Sequence, residues 1–274
     1  MIVNTGLKGI VLLIFVVGSS MYASDLTETN PQQKPSYVHY GNVILGGGIS
    51  FFKDFFFRPQ QEITSSILRG EVSGAWIVRS QKQALISQFS CSYQETNRLT
   101  VDDVVLRAGQ RRILILPVLY DFTWQFPVRM LKSLHFGLGL STAYTYRSWE
   151  ESISTTQTTK IYTNEFQLGI NYGARLYLWQ GRLSPFLFHR ITFTIIGHLH
   201  SNLEGSNYSQ LRILALNSMF RLGLQIQLPD PFFIQLGYGN EIYVSNRYSS
   251  YSLGLNTTLL QVMDQLFIRG GVEW

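Results

Sequence analysis

Alternation with a period of two dominates the chain from about residue 38 onward, and no stretch there carries the 3.6-residue periodicity of an amphipathic helix. In 213–228, Leu214, Leu216, Phe220, Leu222, Leu224, Ile226 and Leu228 fall on one face, interrupted by Ser218. Ala215, Asn217, Met219, Arg221, Gly223, Gln225 and Gln227 fall on the other. Segment 134–147 sets Phe136, Leu138, Leu140 and Tyr144 against Gly137, Gly139, Ser141 and Arg147, and segment 166–178 sets Phe166, Leu168 and Ile170 against Gln167, Gly169 and Asn171. Successive side chains of a strand point to opposite sheet faces, so each segment is predicted as a strand with one apolar and one polar face. A strand in a soluble protein averages about 5–6 residues, whereas one that crosses a membrane needs about 9–11. These runs exceed the second figure. The opposite faces, rich in Gly and Gln with isolated charges, suit a hydrated or tightly packed lumen better than a protein core.

Strands are predicted near 40–52, 67–79, 84–94, 112–126, 133–149, 161–179, 185–197, 209–228 and 232–243, with a final one within 249–274. The connections alternate in length. Ser80–Gln83, Pro127–Lys132, Gln180–Ser184 and Pro229–Pro231 are short, and 53–66, 95–111, 150–160 and 198–208 are long and rich in Ser, Thr, Asn and Gln. Short turns at one end and long loops at the other define an all-β, antiparallel, up-and-down transmembrane β-barrel. The count is ten, with twelve or eight as alternatives. Twelve requires a further strand within 53–66, which holds Phe55, Phe56 and Phe57. The last segment complicates the count, because Tyr251, Leu253, Leu255 and Leu259 are odd-numbered while Leu266, Ile268, Val272 and Trp274 are even. One strand with a bulge near Leu260–Gln265 accounts for the change of phase, since an extra residue exchanges the two faces.

Aromatic residues fall where these strands meet the membrane edges: Trp124 and Phe126 before one short turn, and Tyr144, Tyr146 and Trp149 at the far end of the next strand. Amphipathic rings favour the headgroup level, so these are predicted girdle residues. Composition agrees. Hydrophobic residues make up 45% of the 274 residues, aromatics 14% and charged residues only 14%. Mean hydropathy is +0.06, too low for a bundle of membrane helices. The net charge of +5 is not gathered into a basic stripe, and nucleic acid is not an expected partner. Cys91, the single cysteine, alternates with Leu85, Ser87, Phe89 and Tyr93 and reads as a small apolar packing residue.

The N-terminus reads as an address. Lys8 precedes the apolar run Gly9–Val17, and small residues follow at Gly18, Ser19, Ser20 and Ala23. This is the pattern of a secretory signal peptide, assigned to residues 1–23, and the run falls short of the roughly 20 residues of a membrane helix. Residues 24–36, with Pro31 and Pro35, are expected to form a flexible polar leader, and 37–274 the barrel domain.

The segment Leu266-Phe267-Ile268-Arg269-Gly270-Gly271-Val272-Glu273-Trp274 resembles the C-terminal strand of bacterial outer-membrane β-barrel proteins. Leu266, Ile268, Val272 and Trp274 match the alternating apolar positions and terminal aromatic that mark that strand, with Gly270 as the small exception and Trp in place of the more usual Phe. Phe136-Gly137-Leu138-Gly139-Leu140 is similar to barrel repeats as well. The resemblance implies delivery to the outer membrane, contact with outer-membrane lipid, and recognition of the last strand by the barrel-assembly machinery. Fold resemblance alone gives no function.

Candidate chemistry is sparse. His198 and His200 share a strand face and could ligate a metal, with Glu204 as a third neighbour, but solvated loop histidines are the simpler reading. His135 and His189 are expected at the barrel interior or its edge. Gly46-Gly47-Gly48 lies inside a strand and lacks the Lys-Ser or Lys-Thr of a phosphate loop. No cofactor or metal site is expected. The polar faces place Arg69, Glu71, Asp121, Arg147, Glu165, Arg175, Arg221 and Arg269 toward the lumen as a charge network, with Glu241 and Glu273 also facing inward. Opposite charges are expected to pair there, because an unpaired buried charge is costly. The expectation is a non-enzymatic integral outer-membrane protein with a structural or narrow-channel, porin-like role. A surface barrel binding an extracellular ligand through its loops is the alternative. A barrel enzyme using His198, His200 and Glu241 is a third reading.

Overall fold

The computed structural model describes residues 37–57, 60–80, 83–101, 104–106, 111–152, 158–203, 206–212, 215–250 and 255–274. The expected signal peptide and leader lie outside these residues, as do Glu204, Leu214, Tyr251 and Leu253; the side chain of Trp149 is also outside the described set.

Ten long antiparallel strands close into a barrel. In ring order they are β1 (Val38–Phe57), β2 (Gln60–Arg79), β3 (Ala84–Val101), β5 (Arg111–Val128), β6 (Leu131–Ser152), β7 (Thr158–Leu176), β8 (Leu183–Leu203), β10 (Ala215–Gln227), β11 (Phe232–Ser250) and β12 (Leu255–Glu273). Two short strands extend the ring without adding to it. β4 (Val104–Leu106) pairs with the end of β3, and β9 (Ser206–Arg212) pairs with β8 in the register that β10 continues, Gly197↔Arg212 and then Phe193↔Leu216. The seam is β1 against β12, paired from Asn42↔Glu273 to Phe56↔Leu259. At its lower end Gly41 and Trp274 exchange two backbone hydrogen bonds of 2.8 and 3.0 Å.

The wall is inside-out relative to a soluble protein. Among the described residues, buried polar and charged residues outnumber buried hydrophobic ones by more than two to one. Leu45, Leu140, Ile196, Leu266 and Ile268, on the outer face, are 59–65% exposed. Lipid is the solvent that makes this arrangement favourable, and closure leaves no strand edge unpaired within it. On β12 the outer face runs from Trp274 up to Asp264, which together with Asn240 and Tyr238 forms a hydrogen-bonded polar patch. About ten residues at ~3.3 Å rise, tilted about 40°, climb about 25 Å, the height of an apolar barrel band.

Glycine lets the inner backbone faces approach. A Cβ on Gly169 would lie 1.9 Å from the Ile191 carbonyl oxygen, so only glycine fits there. Elsewhere a neighbouring ring covers the bare backbone: Phe267 lies over its cross-strand partner Gly237, and Phe233 over Gly271.

The expected count of ten strands holds, while two expectations are corrected and the twelve-strand alternative falls away. The segments 53–66, 95–111, 150–160 and 198–208 are largely strand: β1 and β2 stay paired to Phe57↔Gln60, β6 and β7 to Ser152↔Thr158, and β8 and β9 to Leu203↔Ser206. Above the lipid a ladder needs no apolar face, so Ser- and Thr-rich strands carry no alternation to read. For the same reason 53–66 is the top of one hairpin and not an extra strand. The bulge expected within Leu260–Gln265 is absent, as β12 pairs with β1 without a shift; the irregularity lies on β11 between Ser245 and Tyr248. The phase change in the sequence occurs above Asp264, where lipid no longer selects a face.

Candidate functional site

Among the described residues, the lumen is where the strands converge charged side chains from several directions, and it divides into a filled middle and a vestibule. In the middle, Glu71 on β2 is held by three arginines from three strands. Arg269 on β12 reaches it at 2.8 Å, Arg69 on its own strand at 3.2 Å and Arg221 on β10 at 3.4 Å. All four side chains are at most 8% exposed. Arg221 binds both carboxylate oxygens, Arg69 also donates to Gln265, and Arg269 sits over the Phe267 ring at 4.3 Å. Beside this cluster Asp121 on β5 pairs with Arg190 on β8 at 3.4 Å and accepts from the Ser141 hydroxyl.

A second layer lies farther from the short turns. Glu165 on β7 accepts hydrogen bonds from Tyr243 (2.5 Å), Gln167 (3.1 Å) and Thr194 (3.3 Å). Arg147 on β6 lies 3.8 Å from the centre of the Tyr243 ring and donates to Gln261 at 3.1 Å. Gln94, Gln167, Tyr243 and Met263 fill the remaining space and are each 1% exposed or less. Side chains can largely fill a barrel of this strand number, and here they do.

Below the Glu71 cluster the lumen opens into a cavity of about 1300 Å³ that reaches the short-turn end. Arg79 lies over the Tyr40 and Tyr177 rings at 5.4 and 5.7 Å and donates to the Tyr177 hydroxyl at 3.2 Å. Arg175 donates to Gln225 at 3.3 Å. His135 packs edge-on against Tyr177 at 4.9 Å. Asp121, Arg190, Arg221 and Arg269 line the deep end, and Arg182, Asp230 and Glu273 the rim.

The eight arginines and acids placed toward the lumen from sequence thus fall into separate sets. Arg69, Glu71, Arg221 and Arg269 form one cluster, Asp121 pairs with Arg190, Arg147 and Glu165 meet on Tyr243, and Arg175 belongs to the vestibule. Arg190 and Tyr243 were not legible as central residues. In 185–189, Phe186, Leu187 and Phe188 put apolar side chains on both faces, so the phase that turns Arg190 inward is hidden.

The histidines fall elsewhere. His189 is on the outer face, a correction of its expected interior position, because β8 turns its even-numbered residues inward between Ser184 and Thr194. There it bonds the Tyr172 hydroxyl at 2.5 Å and Ser218 at 2.8 Å, so both ring nitrogens are engaged. A bulge at Ile195 shifts the β7–β8 register and exchanges the faces above it. His198 and His200 therefore point outward, where His200 lies 4.9 Å from Tyr162 in a row continued by Tyr146. Glu241 accepts from the buried Asn217 inside the barrel. The wall stands between that carboxylate and the two histidines, so the three do not form a constellation.

Leu266, Ile268 and Trp274 lie on the outer face of β12, and Val272 follows the same phase; the Trp274 ring covers Gly41 on β1. Trp124 and Tyr144 are 49% and 47% exposed, on the same outer face as the histidine row. Cys91 alternates with the inward Ser90 and Ser92 and so also faces out.

No protein-family model matches the chain, and no curated protein matches its sequence. Solved structures do match. The outer membrane protease OmpT from Escherichia coli superposes with a TM-score of 0.58 at 4% identity, over 88% of this chain and 99% of that one. The translocator domain of the autotransporter NalP from Neisseria meningitidis gives 0.45 at 10% identity, over 99% and 95%. The outer membrane protein OprG from Pseudomonas aeruginosa gives 0.34 at 12%, over 85% and 95%. At such identities the likeness speaks for the fold alone. The closed ring, the inverted burial and the aromatic edges define the class as a transmembrane β-barrel, with the fold of bacterial outer-membrane β-barrel proteins such as OmpT.

Proposed function

We propose that this protein is a non-enzymatic outer-membrane barrel, closed to free diffusion through its middle, that anchors a stiff β-hairpin surface outside the cell. The observation that carries this reading is the Glu71 cluster and the layer above it, where arginine, glutamate and glutamine side chains from opposite strands meet with at most 8% exposure. A narrow open channel is the competing role. What favours an outward-facing role is the length of the wall, with most strands running 18–22 residues, about twice what the bilayer needs. OmpT is a protease, and at 4% identity nothing of its chemistry carries over. The separation of His198 and His200 from Glu241 supports a role without catalysis. Partners on this reading are the outer-membrane lipid, the assembly machinery at Leu266, Ile268, Val272 and Trp274, and an extracellular ligand for the hairpins.

Planar-bilayer recording of the purified, folded barrel tests the closed state. Inserted protein is expected to leave the conductance at that of the bare bilayer. Steady unitary currents from the wild-type protein overturn it in favour of the channel role.

A further inference from the structure

The vestibule is closed at its deep end by more positive charge than its own acids offset. Arg69, Arg221 and Arg269 share one carboxylate, that of Glu71, and the second acid of the deep end, Asp121, is taken by Arg190. Each guanidinium carries five N–H donors, while a carboxylate offers about four acceptor sites. Three guanidiniums therefore exceed what Glu71 and Gln265 accept. The Nε atoms of Arg69, Arg221 and Arg269 have no hydrogen-bond partner, although these residues are only 5–7% exposed. Buried donors without acceptors are costly, so such a surplus is informative.

Two of these arginines, 221 and 269, line the cavity, and the path to them from the rim passes Arg79 and Arg175. The Tyr40 and Tyr177 rings and the hydrogen bond to the Tyr177 hydroxyl hold the Arg79 guanidinium in place. At about 1300 Å³ the cavity exceeds the few hundred to about 1,000 Å³ typical of small-molecule sites. The short-turn end, which also carries both barrel termini, is the periplasmic end in this class.

We propose that the vestibule is a periplasm-facing binding site for a small multiply charged organic anion. One phosphate or carboxylate group sits against Arg221 and Arg269, and a second lies within reach of Arg79 and Arg175. The anion accepts from the guanidinium groups of Arg221 and Arg269 on their cavity side and offsets the surplus positive charge of the cluster, and the filled layer above keeps it from crossing.

Isothermal titration of the folded barrel in neutral detergent tests this, with pyrophosphate and citrate as probes and glycerol as the uncharged control. Saturable binding of at least one anion and none of glycerol is expected, and the stronger of the two identifies phosphate or carboxylate as the preferred group. Arg221→Gln is expected to weaken binding about tenfold or more. Arg79→Gln with Arg175→Gln tests the approach between rim and deep end without touching the buried cluster, and is expected to weaken binding by a similar factor. Glu71→Gln removes the competing carboxylate and is expected to strengthen binding, a direction that loss of folding cannot imitate. Absence of saturable binding of either anion at millimolar concentration overturns the proposal. So does binding that Arg221→Gln, the Arg79→Gln and Arg175→Gln pair, and Glu71→Gln all leave unchanged.

Discussion

Glu71 shows how one residue organises the lumen. Its carboxylate is the meeting point of β2, β10 and β12, and no other acid touches those three arginines among the described hydrogen bonds and ion pairs. Removing the partner of a buried charge costs about 3–5 kcal/mol, because the charges left behind cannot be hydrated. Glu71→Ala leaves three such cations facing one another. It is expected to lower the unfolding free energy of the detergent-folded barrel by about that amount, read from urea denaturation followed by tryptophan fluorescence. A variant as stable as wild type would show that solvent reaches the cluster. Sequence placed Glu71 and its three arginines on inward faces through simple alternation. It did not reveal that they share one site, because strands separated by as many as 198 positions carry no mark of their relative height.

At the scale of the element, each strand was legible where lipid touches it. In β6 and β7 the outer face must be apolar and the inner face must admit close packing, so alternation survives and the boundaries at the short turns are visible. Beyond the lipid neither face is constrained, and the upper halves of the strands read as polar loops. Bulges were invisible for a related reason. The extra residue at Ile195 in β8 sits among apolar neighbours that suit either face, so nothing in composition marks it. The seam offers a direct test of register. Gly41 and Trp274 exchange both backbone hydrogen bonds, so the adjacent Asn42↔Glu273 is a pair without them, in which the Cα atoms stand closer, about 4.5 Å apart. Paired cysteines at such a site meet the distance a disulfide requires. Asn42→Cys with Glu273→Cys, in a Cys91→Ser background, is expected to oxidise to an intramolecular disulfide that shifts the mobility of the heat-denatured protein. A thiol count of two after oxidation, with unchanged mobility, would place the seam in another register.

For the whole molecule, the decisive property is that burial and hydrophobicity run in opposite directions. Leu140, at 65% exposure, lies in the middle of the outer apolar run Phe136–Tyr144 of β6, while its neighbour Ser141 is buried against Asp121. An arginine on the lipid face near the midplane costs about 2–4 kcal/mol. Leu140→Arg is accordingly expected to lose that much stability in phospholipid vesicles, measured by reversible denaturant unfolding. Equal stability of the variant and wild type would mean that Leu140 does not face the hydrocarbon. The fold class was legible from sequence because this inversion is written in every strand, whereas the anion site proposed for the vestibule depends on which arginines end at the same depth.

The filled middle also bears on how many copies a cell can carry. An open pore adds a leak with every molecule inserted, so its abundance is limited by what the envelope can let through. On the closed state proposed above, a barrel whose cross-section is occupied by Glu71, Gln167, Tyr243 and their partners adds none. Permeability then sets no limit on its number, and the proposed closed state lets a cell place it densely across its surface without making that surface leak.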